Sequence, residues 1–310
     1  MGVTSDGATR WAVILAGGDG ARLRSLTERI SGDGRPKQFC PVLGSETLLG
    51  ATRRRVALGI SPHRTLVVVT RPHEPFYAPV LADVWTRQLV VQPENRGTAP
   101  AILYALLRLA TMGPSDPVAI VPSDHYVSDD GAFMAHVDDA LDAVTARPEL
   151  VVLLGATPDG PQEEYGWIEP AEPLPGWSGG PIHRVRRFRE KPSRALAYTL
   201  RARGALWNTF VMAARVATLI RAIRDTVPAL YQAFGHVRPL LHTGREADAI
   251  GALYRELAPV DFSRDVLAAP GVPLAVLPVR SVWWNDLGTP DRVLATERRV
   301  AGVGVESGAA

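Results

Sequence analysis

One cysteine, Cys40, stands in the 310 residues, so no intrachain disulfide can form and no cysteine pairs are present to build a zinc cage. Neither sign of charge prevails: 34 Lys and Arg face 32 Asp and Glu, a formal net charge of +2. That balance gives no general electrostatic footprint for nucleic acid or an anionic membrane surface. No apolar run approaches the ~20 residues that cross a bilayer, and the opening MGVTSDGATR lacks the apolar core of a secretory signal. Gly2 follows the initiator Met as in a myristoylation start, but Asp6 stands where that motif needs Ser or Thr. Internal repeats and low-complexity tracts are absent, which excludes solenoids and fibrous arrays. The expectation is a cytoplasmic protein of a reducing compartment, with no nucleic-acid partner and no membrane partner.

What the chain does have is apolar content of 46%, enough for one large core or two modest ones. Short apolar runs recur at Trp11–Ala16, Thr65–Thr70, Gln88–Gln92, Val118–Val121, Leu150–Ala156 and Leu274–Val279. Between them lie helical periodicities at Leu48–Gly59, Ala99–Met112 and Ala132–Thr145. This alternation predicts an α/β, Rossmann-like three-layer sandwich with a mainly parallel, mixed central sheet. The stretch Pro158–Pro181 is rich in Pro, Gly, Glu and Trp and reads as a long excursion over the active face. Strands at His183–Arg189 and Trp207–Ala213, and helices at Arg215–Arg224 and Ala247–Leu257, follow it. One domain over residues 10–300 is expected, with an inserted substrate-facing subregion at about 157–262, between a flexible N-terminus (1–9) and a flexible tail (301–310).

The segment WAVILAGGDGARLRSLT (residues 11–27) puts Gly17, Gly18 and Gly20 at the carboxyl end of the first strand. In open parallel sheets ligands bind there, and glycines let backbone N–H groups approach an anion closely. The loop is neither of two common phosphate motifs. It lacks the spacing that ends in Gly-Lys-Ser/Thr, and Leu23 replaces the third glycine of the dinucleotide fingerprint. Instead Arg22 follows, a guanidinium able to fork onto phosphoryl oxygens, and Arg35-Pro36-Lys37-Gln38-Phe39 adds a second cationic element.

Two aspartates complete the pattern: Asp124 ends the apolar run VAIVPSD, and Asp286 follows Trp283-Trp284-Asn285. Two carboxylates at strand ends beside a phosphate loop suit Mg²⁺, which keeps several waters and needs few protein ligands. His125 has no orienting carboxylate in sequence and is read as fixing a turn. Trp167, Trp207, Trp283 and Trp284 read as core or pocket wall.

Together LAGGDGARLRSLT, RPKQF, QPENRGTAPAI, VPSDH, LGATP with YGWIE, FREKP, LWN and WWNDLG resemble the sugar-nucleotidyltransferase superfamily, and most closely its mannose-1-phosphate guanylyltransferases. The resemblance runs from about Ala12 to about Thr296. It implies that Leu15, Ala16, Gly17, Gly18, Gly20 and Arg22 wrap a triphosphate and that Lys37 contacts phosphates near the reacting phosphorus. It implies that Gln92, Asn95, Arg96 and Thr98 lie near the nucleoside, that Asp124 and Asp286 bind Mg²⁺, and that Tyr165, Gly166, Glu169, Glu190, Lys191 and Asn208 line the sugar phosphate. Arg22, Lys37, Asp124, Lys191 and Asp286 are then the catalytic set.

The implied reaction joins an NTP, GTP in first place, to a sugar 1-phosphate, mannose 1-phosphate in first place, releasing pyrophosphate; the resemblance leaves room for a homodimer. The chain departs from the family pattern at Ala21, at Glu163-Glu164 ahead of Tyr165, and at Thr209-Phe210 where a small residue and glycine are usual. The nucleotide half therefore matches better than the sugar half. Another NTP, another sugar or a cyclitol phosphate fits the same chemistry. A non-catalytic nucleotide-sugar sensor is a second reading, opposed by the retained charged set. A dinucleotide oxidoreductase is a third, opposed by Leu23.

Overall fold

Apolar runs of four to six residues, closed off by glycine, proline or polar turns, become strands wherever both their faces can be covered. The computed structural model describes residues 9–177 and 180–306. Its strands are β1 (Trp11–Leu15), β2 (Thr65–Thr70), β3 (Leu89–Gln92), β4 (Pro117–Pro122), β5 (Tyr126–Val127), β6 (Val151–Ala156), β7 (Gly166–Pro173), β8 (His183–Glu190), β9 (Leu206–Arg215), β10 (Leu274–Pro278) and β11 (Trp284–Asn285). The helices are α1 (Arg24–Ser31), α2 (Leu48–Val56), α3 (Glu74–Val80), α4 (Thr98–Ala110), α5 (Asp130–Ala146), α6 (Arg194–Ala202), α7 (Val216–Thr226), α8 (Pro228–Ala233), α9 (Glu246–Glu256) and α10 (Pro290–Glu306).

Nine strands form one sheet in the order β3-β2-β1-β4-β9-β6-β10-β8-β7, and β11 pairs with β5 in a small second sheet. β2, β4 and β6 are buried along their whole length, as strands covered on both faces must be. One layer packs Phe39, Leu49, Val137 and Trp167 against the sheet; the opposite layer packs Leu103, Phe234, Tyr254 and Phe262. The sheet is mixed, as expected: β3, β2, β1 and β4 run parallel, whereas β9 is antiparallel to both β4 and β6. β9 also pairs with β7, so β6, β10, β8 and β7 curl back onto it and enclose the side expected to face a sugar. Because β9 runs against its neighbours, its first residues lie at the sheet edge where β1, β4 and β6 end.

The predicted strands and most predicted helices recur within a residue or two. The excursion at Pro158–Pro181 is shorter than expected, since β7 takes up Gly166–Pro173 and ladders with β8. α3 went unread because Pro75 and Pro79 lie inside it, where proline normally argues against a helix. α10 carries helix to Glu306, into the stretch expected to be a flexible tail; residues 1–8 and 307–310, also expected to be flexible, lie outside the described residues. No described helix is long and apolar enough to cross a membrane.

Candidate active site

The carboxyl ends of β1 to β4 converge on the glycine loop. Thr70 Oγ1 donates to the Gly17 carbonyl at 2.8 Å, and a Cβ at Gly17 would lie 2.7 Å from the Gln92 amide and 2.8 Å from Thr70 Oγ1. Only a hydrogen side chain allows that approach. Gln38 fixes the loop from the other side: its buried Nε2 donates to the carbonyls of Ala16, at 3.0 Å, and Gly18, at 2.7 Å. The sequence had marked this stretch for its cations, and nothing in it flagged the amide.

Asp124 and Asp286, far apart in the chain, are brought together by the β5–β11 ladder, in which Trp284 pairs with Val127 and Asn285 with Tyr126. Asp124 lies two residues before β5 and Asp286 directly after β11, so antiparallel pairing brings both to the same end of the ladder. Lys37 lies between them, 8% exposed. Its Nζ is 3.3 Å from Asp124 Oδ2 and donates to the carbonyls of Asp286 at 2.6 Å and Leu287 at 3.1 Å. Asp286 Oδ1 accepts from the Tyr165 hydroxyl at 2.8 Å, the Gly288 N–H at 2.9 Å and Arg292 at 3.0 Å. Burial pushes this carboxyl up, and Arg292, then His125 and Lys37, with the Tyr165 hydrogen bond, more than reverse it, holding Asp286 below the usual carboxylate range.

Arg292, in the first turns of α10, was not foreseen. It grips Asp286, donates to Gln162 Oε1 at 3.0 Å and lies 4.5 Å over the Tyr165 ring. Nothing in sequence links it to Asp286 except proximity. His125 is partly buried, edge-on to Trp284, with ring centroids 5.2 Å apart. Burial pushes its pKa down in spite of Asp124, 3.5 Å away, and the ring fills the flank of the site. Trp167, Trp207 and Trp284 are buried wall, 0–3% exposed.

The residues expected near a nucleoside divide. Gln92 accepts from the Tyr254 hydroxyl at 3.1 Å, Asn95 spans Asp19 and the Gly97 N–H, and Thr98 Oγ1 accepts from the Phe262 N–H. All three border a cleft of about 230 Å³ together with Gly17, Gly18, Asp124 and Phe210. Arg96 does not join them; its guanidinium is held by the Tyr254 carbonyl and Glu94. Gly97 has φ +87°, and a Cβ there would lie 2.4 Å from the Val260 carbonyl, so glycine is required where α4 begins.

On the curled side, Tyr165, Gly166, Glu190 and Asn208 meet where β7, β8 and β9 come together, Gly166 opposite Glu190 in the ladder. Burial pushes the Glu190 carboxyl up although Lys191 lies 3.7 Å away. Lys191 is largely exposed, and Glu169 is turned to Arg189 at 3.3 Å. Arg22 reaches across from the glycine loop to Glu164 at 2.8 Å, and Glu164 is also 3.4 Å from Arg292. A larger groove of about 340 Å³ lies between α2 and Trp85. It holds no glycine loop, and its arginines are already matched, Arg53 to Asp83 and Arg54 to Glu46 and Asp130.

The sequence profile of the family described as Nucleotidyl transferase matches residues 11–301. The chain belongs to this family. It is 32% identical over 286 residues to the xanthan biosynthesis protein XanB of Xanthomonas campestris pv. campestris, covering 89% of this chain and 57% of that one. Against the mannose-1-phosphate guanylyltransferase of Escherichia coli K12 it is 30% identical, covering 90% and 58%. The chain thus spans little more than half the length of these nucleotidyl transferase relatives. A crystal structure described as mannose-1-phosphate geranyltransferase from Thermus thermophilus aligns with a TM-score of 0.77 at 31% identity, over 90% of this chain and 76% of that one.

Proposed function

We propose that this chain transfers a nucleotidyl group from a nucleoside triphosphate to a sugar 1-phosphate, with GTP and mannose 1-phosphate as the pair, giving GDP-mannose and pyrophosphate in the cytoplasm. The observation that carries the reading is the convergence of Lys37, Asp124 and Asp286 at the mouth of the glycine loop, supported by the guanylyltransferase name of a relative.

In this reaction an oxygen of the sugar phosphate attacks the α-phosphorus; one P–O bond forms as the bond to pyrophosphate breaks. A sugar phosphate is ionised at neutral pH, so no general base is needed. Positioning and charge stabilisation must then supply the rate. The glycine loop offers N–H groups to the triphosphate, Arg22 is within reach of departing phosphate charge, and Lys191 stands on the sugar side to draw in the nucleophile.

The donor set suits Mg²⁺. No cluster of three His, Cys, Asp or Glu occurs among the described residues, which speaks against a metal caged by protein alone. Among the described residues, the Asp124 carboxylate has only Lys37 and His125 as ion-pair neighbours, leaving oxygens for a cation that takes its remaining ligands from phosphates and water. Asp124 would hold it, with Asp286 adding at most its Oδ2, since Oδ1 already accepts from Tyr165, Gly288 and Arg292; when bound it would neutralise charge on the phosphoryl oxygens. Every residue invoked comes from one chain, so the reading works equally for a monomer or a homodimer.

The test is pyrophosphate release with Mg²⁺ across GTP, ATP, CTP, UTP and dTTP against mannose, glucose, galactose, fucose and N-acetylglucosamine 1-phosphates. Activity with GTP and mannose 1-phosphate is expected. Activity in another combination would move the substrates, and silence in all of them with nucleotide still bound would favour a sensor.

A further inference from the structure

Phe210 is built into the cleft by an unusual stretch of backbone. Where β6 pairs with β9 the register shifts between Leu153 and Gly155, so the strand bulges at Asn208–Val211. Bulges next to active sites re-aim side chains. The bulged residue has φ +60°, a left-handed conformation that bulges normally give to glycine and that a bulky side chain adopts only at a cost. Two local bonds hold it there: the Phe210 N–H donates to Asn208 Oδ1 at 3.1 Å, and the Val211 N–H donates to Thr209 Oγ1 at 3.2 Å. The ring meets the buried Phe262 edge to face, centroids 6.4 Å apart, and Phe262 is tied by its N–H to Thr98 at the start of α4. The other side of Phe210 borders the cleft, with Gly18, Gln92, Gly97 and Thr98.

Strain retained at a cleft wall points to use of the side chain, since backbone outliers persist where surrounding structure over-determines them. We propose that Phe210 is a specificity-determining residue: its ring is the apolar wall of the nucleoside half of the cleft and limits which base enters. The sequence counts this residue among the departures on the sugar side; its neighbours put it against the segment expected to face the nucleoside. The inference rests on the nucleotidyl-transfer reading for the identity of the ligand.

The test compares wild type with Phe210→Gly, Phe210→Ala and Phe210→Leu. Calorimetric Kd values for GTP, ATP, CTP and UTP are measured alongside steady-state KM for triphosphate and sugar phosphate. Removing the ring should cut the preference between best and worst triphosphate by about tenfold, with KM for the sugar phosphate moving less than about twofold; leucine should retain most of the preference. Phe210→Gly should melt above Phe210→Ala, because glycine alone relieves the left-handed backbone. An unchanged preference, or an effect confined to the sugar phosphate, would overturn the assignment. A wild type that binds triphosphates selectively but releases no pyrophosphate would refute the transfer reading, while the Kd comparison would still decide the role of Phe210.

Discussion

Lys37 and Asp286, 249 positions apart, meet through the main chain: the ammonium donates to the Asp286 carbonyl at 2.6 Å and faces the Asp124 carboxylate at 3.3 Å. The lysine therefore sets the position of one aspartate while it balances the charge of the other. Its cation need not contact phosphate to be indispensable.

Lys37→Met keeps most of the side-chain volume and removes those bonds. Leaving two carbonyls and a carboxylate without their buried donor should cost about 2–4 kcal/mol of stability, and kcat should fall at least about a hundredfold. Urea titration and a pyrophosphate-release assay check the two effects separately.

Asp124→Asn should abolish turnover more completely than Arg22→Ala, because it removes the negative charge and one of the two oxygens proposed for Mg²⁺ as well as the charge that balances Lys37. Chelation of divalent cations should silence the wild type in the same assay. Nucleotide turnover persisting in chelator would count against the metal.

Arg292→Ala tests the grip on Asp286. The native carboxyl is held low, so it contributes stability above the ordinary aspartate pKa of about 3.9 and loses it as pH falls through the native value. Without the arginine, burial should raise the carboxyl instead. Unfolding at pH 7.5 should then show a loss of about 3 kcal/mol, shrinking toward pH 4 as Asp286 takes up a proton. An equal loss at both pH values would mean that Arg292 acts by packing over Tyr165.

Glu164→Gln releases Arg22 from its ion pair. The pair is solvated, worth under about 1 kcal/mol, so KM for the triphosphate should fall by about two- to fivefold. The effect should fade as ionic strength rises. A KM that rises would show Glu164 helping to hold the ligand.

Gln38→Ala should loosen the glycine loop. Losing two buried amide bonds should cost about 1–3 kcal/mol, with KM for triphosphate raised and KM for sugar phosphate little changed. Proteolysis near Gly18 would report the loosening directly.

Much of this was written locally and could be read there. β1, β2, β4 and β6 are apolar runs that declare themselves, and the glycines between Ala16 and Ala21 mark a loop at a strand end. Asp124 and Asp286 were legible as carboxylates after strands. The contacts that tie the site together were not, because they depend on pairing across long separations. Nothing near Gln38 says that its amide will bridge two carbonyls of the glycine loop, and nothing in α10 says that Arg292 will close on Asp286. Arg96 misled for the same reason: its motif faces the cleft, but α9 and Glu94 take the guanidinium. Phe210 was visible as a departure, and only the fold, through the bulge in β9, brings it to the cleft wall beside Gln92 and Thr98.

The β5–β11 ladder has a bearing on biosynthesis. Chains emerge from the ribosome amino end first, so the glycine loop, Lys37 and Asp124 are all outside the tunnel long before Trp284 and Asn285 have been made. Until β11 has been made, β5 has no strand to pair with and Lys37 lacks the two carbonyls that anchor it. Nucleotide turnover should therefore appear late and abruptly in a series of stalled nascent chains of increasing length, well after the parallel strands have become resistant to protease.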